Sequence, residues 1–376
     1  MVAVRVRSSP AASMLLVFLM GCGVDEEQGG RRAHAGLRLI PVDSVRLAEA
    51  DTLYLGNPFS LTADPYDGSF YVSDFFADRV FRFDRDGSLR MRYGRPGSGP
   101  GEFTTPGVAW ALDSVNLAAV ESDRGVIHVF DRTSGVFRRS VPFEGILGST
   151  VPIRTGSVYW LASRNRGRST SVMTWDTHSD SIRFVLPLPQ EYMRSFEGIG
   201  RFAAFRSRGT MTAWGDTLLV GMRGLNYLLV ASPDGAVLDT LHVPVTHRRG
   251  VPANVVNIVD ERVPKIDPHL VSSALDHLHR RPDGSFILVH HDSQREGEGP
   301  SELITARVFV SMVSADRTRA CVDAELPVSQ DARPIHGFRG DTLLLLDRRL
   351  RGEEVQTWIV SYLVDADGCE WLPTRR

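Results

Sequence analysis

Lysine is almost absent from this chain: of its 43 basic residues only Lys265 is not an arginine. A phosphate-binding loop of the Walker type, and nearly all lysine-based covalent chemistry, are excluded with it. Charge of one sign is lacking too. With 43 basic against 45 acidic residues the formal net charge is -2, so no broad field for a polyanion exists and nucleic acid is not an expected partner. Cysteine occurs three times, at Cys22, Cys321 and Cys369. Sustained helical periodicity is missing, and the one apolar run, Ala11 to Met20, is too short to cross a bilayer as a mature helix.

What the chain has instead is a recurrence. A first turn leading into an apolar strand appears at Asp67-Gly68-Ser69, Asp113-Ser114, Gly156-Ser157, Asp216-Thr217, Asp283-Gly284-Ser285 and Asp341-Thr342. A second turn closes the following strand at Asp84, Asp131, Asp176, Ser232, Ser314 and Asp365. Short apolar or alternating runs flank both, such as Phe70-Tyr71-Val72 with Val80 to Phe83, and Leu117 to Val120 with Val126 to Phe130. Another candidate strand precedes each first turn and a fourth follows each second turn. The closest first turns stand 43 and 46 residues apart, about the ~40 to 50 that one four-stranded unit needs. Units of this kind bury their faces only against neighbours, which predicts an all-β, six-bladed β-propeller of four-stranded antiparallel blades. A strand over Leu37 to Leu47 is expected to close the ring beside the last repeat. Hydrophobic content of 42%, with 34 glycines and 21 prolines, suits such a turn-rich β domain over residues 37–376.

The first unit is the most regular. Asp67 to Asp74, Arg79 to Asp84, Gly87, and Gly94 with Gly97-Ser98-Gly99-Pro100-Gly101-Glu102-Phe103 and Pro106 resemble an NHL-type repeat. The second unit is similar, and the likeness fades beyond residue 150. The resemblance implies a six-bladed ring of the NHL and TolB-like superfamily, in which each blade runs from an innermost first strand to an outermost fourth. Gly97 to Gly101 lacks both a Rossmann spacing and a following Lys-Ser/Thr, so it reads as a connecting loop and not a phosphate cradle.

The N-terminus lies outside the repeats. Arg5 and Arg7 precede the apolar run, and Leu19-Met20-Gly21-Cys22 follows it. This resembles a lipoprotein signal, with residues 1–21 removed, Cys22 lipidated and residues 22–36 a flexible tether; an ordinary secretory signal is the alternative. The resemblance implies an extracytoplasmic protein anchored to a bacterial membrane, with Gly23 favouring the outer membrane, at its periplasmic face or the cell surface. In such a compartment the remaining pair, Cys321 and Cys369, is expected to form a disulfide between the fifth and sixth repeats.

Both kinds of marker turn fall on one face of the ring and are short. Length variation sits at residues 94–105, 163–169, 186–202, 243–275 and 292–304, all on the other face, which is where repeat proteins carry binding loops. Connections between second and third strands there hold Asp74, Arg79, Glu121, Asp123, Arg124, Arg164, Arg166, Arg168, Arg223, Asn226, His290, His291, Asp292, Asp347, Arg348 and Arg349. From these, Arg124, Arg164, Arg166, Arg223 and Arg348, with His290 or His291, are expected to line one rim able to take an anionic group. Adjacent strand residues face opposite ways, so only one of the two histidines can join a given site. His128, His178, His242, His277 and His279 supply no evident set of three metal ligands. The six tryptophans are scattered as blade packing would scatter them. The reading is a tethered scaffold that binds a protein, peptide or glycan without a cofactor. The alternative is a periplasmic hydrolase or lyase with one divalent metal in the central channel.

Overall fold

The computed structural model describes residues 36–48, 55–121, 123–147, 152–164, 170–189, 209–222, 225–248, 273–296, 303–327, 335–352 and 354–376. Every element in them is a strand or a turn, and the strands form six separate antiparallel sheets.

Blade 1 runs Pro58–Ala63, Phe70–Asp74, Arg79–Phe83 and Leu89–Tyr93 from axis to rim. Blade 2 follows with Pro106–Ala111, Asn116–Glu121, Val126–Asp131 and Phe137–Pro142. The inner strand of blade 3 is split into Ile146–Leu147 and Ile153–Thr155, both paired with Val158–Arg164; Thr170–Asp176 and Ser181–Pro187 complete that blade. Gly209–Trp214, Thr217–Met222, Leu228–Ala231 and Val237–Leu241 make blade 4. Blade 5 has Ser273–Arg280, Phe286–Glu296, Leu303–Val313 and Arg319–Glu325. Blade 6 takes Ile335–Arg339, Thr342–Arg351 and Glu354–Asp365 from the end of the chain, and its outer strand, Arg38–Arg46, from the beginning.

The second strands explain why the sequence shows apolar runs there as well as alternation. In Leu343-Leu344-Leu345-Leu346 the odd residues enter the layer against Ile287 and Val289 of blade 5, and the even ones enter the layer against Leu61 and Phe70 of blade 1. A sheet covered on both faces needs apolar residues at every position. The same division gives six buried layers, one between each pair of neighbouring blades, including the pair formed by blades 6 and 1. Each fully buried Leu, Val or Phe in them contributes about 1.5–3 kcal/mol relative to exposure. Trp110, Trp160 and Trp175 are buried in these layers, and Trp214 and Trp358 pack against them.

Near the axis, inner strands are joined directly. Thr62 Oγ1 donates to Ala109 O at 2.6 Å, and Leu278 N–H donates to Thr210 Oγ1 at 2.9 Å. Between blades 6 and 1 the inner strands approach closely: a Cβ on Gly337 would stand 2.4 Å from Leu61 O. Several marker turns are closed by their own carboxylates. Asp67 Oδ1 accepts from Ser69 N and Oγ at 3.1 and 2.7 Å, and Asp283 Oδ1 binds Ser285 in the same way. Gly68 and Gly284 sit at φ 71 and 85 to permit these turns.

The strands differ from the sequence reading at Asp347–Arg349, which lie within Thr342–Arg351 and not on a connection, and at two further places. Residues 292–296 do not begin a loop but extend the second strand of blade 5, paired with Leu303–Arg307. After blade 6 the chain returns outward, and Leu372–Pro373 adds a fifth strand to blade 5.

Candidate binding face

At blades 1 and 2 the turn face is tied shut by charge. Arg82, buried in blade 1, donates through Nε to Ser69 Oγ at 2.9 Å and through Nη1 to Arg132 O at 2.9 Å, and its Nη2 bonds Asp67. Asp64, fully buried at the end of the inner strand, accepts from Tyr71 Oη at 2.6 Å and from Arg132 Nη1 of blade 2. Burial, and then the Asp64 carboxylate beside it, push the Tyr71 phenol far up. A network with its carboxylates paired and its donors engaged across two blades fastens them and offers no opening.

On the opposite face the first two acidic candidates have equivalent structural duties. Asp74 ends the second strand of blade 1 opposite Pro58, and Glu121 ends that of blade 2 opposite Pro106. Asp74 accepts N–H groups from Asn57, Phe76 and Ala77 at 2.8–2.9 Å. Its burial nevertheless holds the carboxyl above the usual range. Glu121 accepts from the backbone N–H and hydroxyl groups of Thr104 and Thr105. Both side chains shape the entry into a blade.

The arginine candidates divide. Arg124 is exposed on the connection between the second and third strands of blade 2. Arg348 lies within the second strand of blade 6, where Nη1 donates to Gly56 O of blade 1 at 3.3 Å. Arg349 is paired with Asp347 at 2.6 Å and covers Trp358. Arg164 ends the second strand of blade 3; Arg166, Arg168 and Arg223, like Cys22, lie outside the described residues.

His290 and His291 leave their strand on opposite faces and reach different layers. His290 is fully buried against Phe309, ring centroids 5.5 Å apart, with Nε2 3.4 Å from Asp323 Oδ1. Burial pushes this imidazole down, and Asp323 offsets only part of that. Burial works against the Asp323 carboxylate, yet His290 and the Thr246 donors, at 2.6 and 2.7 Å, hold it below its ordinary value. His291 pairs through Nδ1 with Asp276 of the inner strand.

Sequence reasoning missed the partners of these histidines and one further group. His277 of blade 5 faces His336 of blade 6 at 5.4 Å between ring centroids, with Phe338 at 4.9 Å. His279 stacks on Phe338 at 4.1 Å and bonds Gly340 O at 2.7 Å. The signal was present in the inner strands, where His277-Leu278-His279 and His336-Gly337-Phe338 occupy matching positions in consecutive blades. Among the described residues no three His, Cys, Asp or Glu side chains converge as metal ligands. Aromatic surface does gather on this face: Phe59 stacks on Phe75 at 4.3 Å, and the neighbouring Phe76 is 74% exposed.

With this geometry in place, comparison with solved structures identifies what is shared. A member of the DUF4221 family from Bacteroides vulgatus superposes with a TM-score of 0.63, covering 88% of this chain and 99% of that one at 10% identity. A protein from Bacteroides fragilis assigned as exported gives 0.57, covering 89% and 96% at 9% identity. The chain is a six-bladed β-propeller. At such identities the likeness shows the fold alone. No protein-family model matches the chain, and no curated protein matches it.

Proposed function

We propose that this propeller is an extracytoplasmic binding scaffold, anchored through Cys22 to a bacterial membrane, whose loop-rich face engages a protein, peptide or glycan. The observation that carries the reading is the difference between its two faces. The turn face consists of short turns, several of them closed by their own carboxylates, and is locked at blades 1 and 2 by Asp64, Arg82 and Arg132. The long connections, from Pro187 to Gly209, Leu241 to Ser273 and Glu325 to Ile335, all join an outer strand to the next inner strand on the opposite face. Conserving one face as scaffold while lengthening the other suits a protein that binds through loops.

Export agrees with the Bacteroides fragilis neighbour and with the bonded Cys321–Cys369 pair. Arg124, Arg164, Arg166, Arg223 and Arg348, at equivalent points of the sequence repeats, suit a partner carrying carboxylate or sulfate groups, with binding that weakens as salt rises. A photoreactive benzoylphenylalanine at Phe76 or Arg124 should form adducts in producing cells, and one at Asp86 or Val136 on the turn face should not. Adducts from the turn face alone would overturn the reading. Cys22→Ser should move the protein out of the membrane fraction, and retention there would remove the anchor.

A further inference from the structure

The C-terminal tail belongs to no repeat. Beyond Asp365 it turns at Gly368, and Cys369 is bonded to Cys321 in the outer strand of blade 5, Cα atoms 6.1 Å apart. Leu372 and Pro373 then pair with Ala320 and Arg319, and Thr374 N–H donates to Thr318 O at 3.0 Å. Arg375 goes on to exchange backbone hydrogen bonds of 2.8 and 3.1 Å with His242, just past the outer strand of blade 4. Arg376 ends 3.9 Å from Asp239. Eight residues therefore strap blade 6 to blades 5 and 4.

Besides the disulfide, the strap is held by edge hydrogen bonds and by the half-buried Trp371, which lies 5.7 Å from the Arg319 guanidinium. Cys369 and Trp371 pack against the layer between blades 5 and 6, but no residue from Glu370 to Arg376 is buried. Edge hydrogen bonds with little apolar burial open readily unless a covalent tie keeps their partners close. The ring closes without the tail, through Arg38–Arg46 on Glu354–Asp365.

We propose that Cys321–Cys369 is a redox latch: its reduction by a dithiol frees the tail while the ring stays folded, uncovering the outer edges of blades 4 and 5. Cys321 is fully buried and Cys369 half-exposed, so the reductant's thiolate attacks Cys369 Sγ. The sulfur–sulfur bond breaks, Cys321 leaves as a thiolate and takes a proton, and a mixed disulfide remains on Cys369. The second thiol of the reductant displaces Cys369 as a thiol and closes its own disulfide, passing two electrons to the protein.

Hydrogen exchange followed by mass spectrometry tests this on the purified protein, oxidised, reduced with dithiothreitol, and as Cys369→Ser. On reduction, amides of Thr374, Arg375 and His242 should exchange at least tenfold faster, while the inner strands Pro58–Ala63 and Gly209–Trp214 stay protected over the same labelling time. Cys369→Ser should show the reduced pattern without reductant. Tail amides that keep their protection in both the reduced protein and Cys369→Ser would overturn the latch. So would loss of inner-strand protection together with the tail, which would make the bond part of the ring's own stability.

Discussion

Gly337 and Arg82 show how single residues hold this ring. At Gly337 the inner strands of blades 6 and 1 meet so closely that a methyl group must displace Leu61 O, 2.4 Å from its ideal position. Gly337→Ala should cost roughly 1–3 kcal/mol in urea unfolding, as overpacking of a fitted contact does. Gly36, with nothing within 4 Å of a built Cβ, provides the control, and Gly36→Ala should change stability by less than about 0.5 kcal/mol. Arg82 acts by charge and hydrogen bonding while itself buried. Replacing it with methionine leaves Asp64 and Ser69 short of donors, so Arg82→Met should cost about 3–5 kcal/mol. A loss under about 1 kcal/mol would show that the cost of desolvating this network cancels its attraction.

At the scale of elements the ring depends on a strand from the far end of the chain. Arg38–Arg46 completes blade 6, and its exit is tied to blade 1 where Ala48 N–H donates to Gly87 O at 2.8 Å. Deleting residues 37–48 opens the outer edge of blade 6 and removes Leu37 and Leu47 from two buried layers. The whole domain should then melt earlier in a single transition; an unchanged melting temperature would show that closure rests elsewhere. Strand edges that closure covers are also those most prone to pair with other chains, so the truncated protein should aggregate sooner on heating, measurable by light scattering. The closing strand was legible beforehand over Leu37 to Leu47, although the sequence also suggested a fourth strand after Asp365, where the outer strand of blade 6 is instead Arg38–Arg46. The tail strand Leu372–Pro373 was not, since two residues carry no periodicity and their partner is chosen by the path of the chain.

Across the whole molecule, buried histidines set the response to acid. His277 is held well below its ordinary value, first by burial, then by His336 and His279, with Asp276 opposing. His128, His279 and His290 are also lowered, in each case chiefly by burial. The folded ring keeps these rings neutral, whereas the unfolded chain protonates them near pH 6.5. Below that pH the unfolded state binds more protons, so stability present above about pH 6.5 is lost as pH falls. Urea midpoints should therefore drop between pH 7.5 and 5.5, and His277→Phe should flatten that slope. A slope unchanged by the substitution would place the acid response elsewhere. Asp131 and Asp316, lowered first by a backbone donor from Ser134 and by the Ser314 hydroxyl respectively, contribute in a separate window, lost only below the ordinary carboxylate range.

What the sequence determined by itself was the repeating unit: turns at Asp, Gly and Ser, strands between them, and a period that fits six blades. Those are local facts, because a turn is made within a few residues and a doubly covered strand must be apolar wherever it lies. Which side chains meet across blades was decided only by the tertiary structure. Asp74 and Glu121 were recognisable as acids at equivalent positions, but their role in capping backbone donors depends on connections that return from other strands. His290 and His291 are adjacent in sequence and separate in space, joined to Asp323 and Asp276 by a register that no spacing records. Contacts of this kind arise from closing the ring, where the distance along the chain no longer measures the distance between groups.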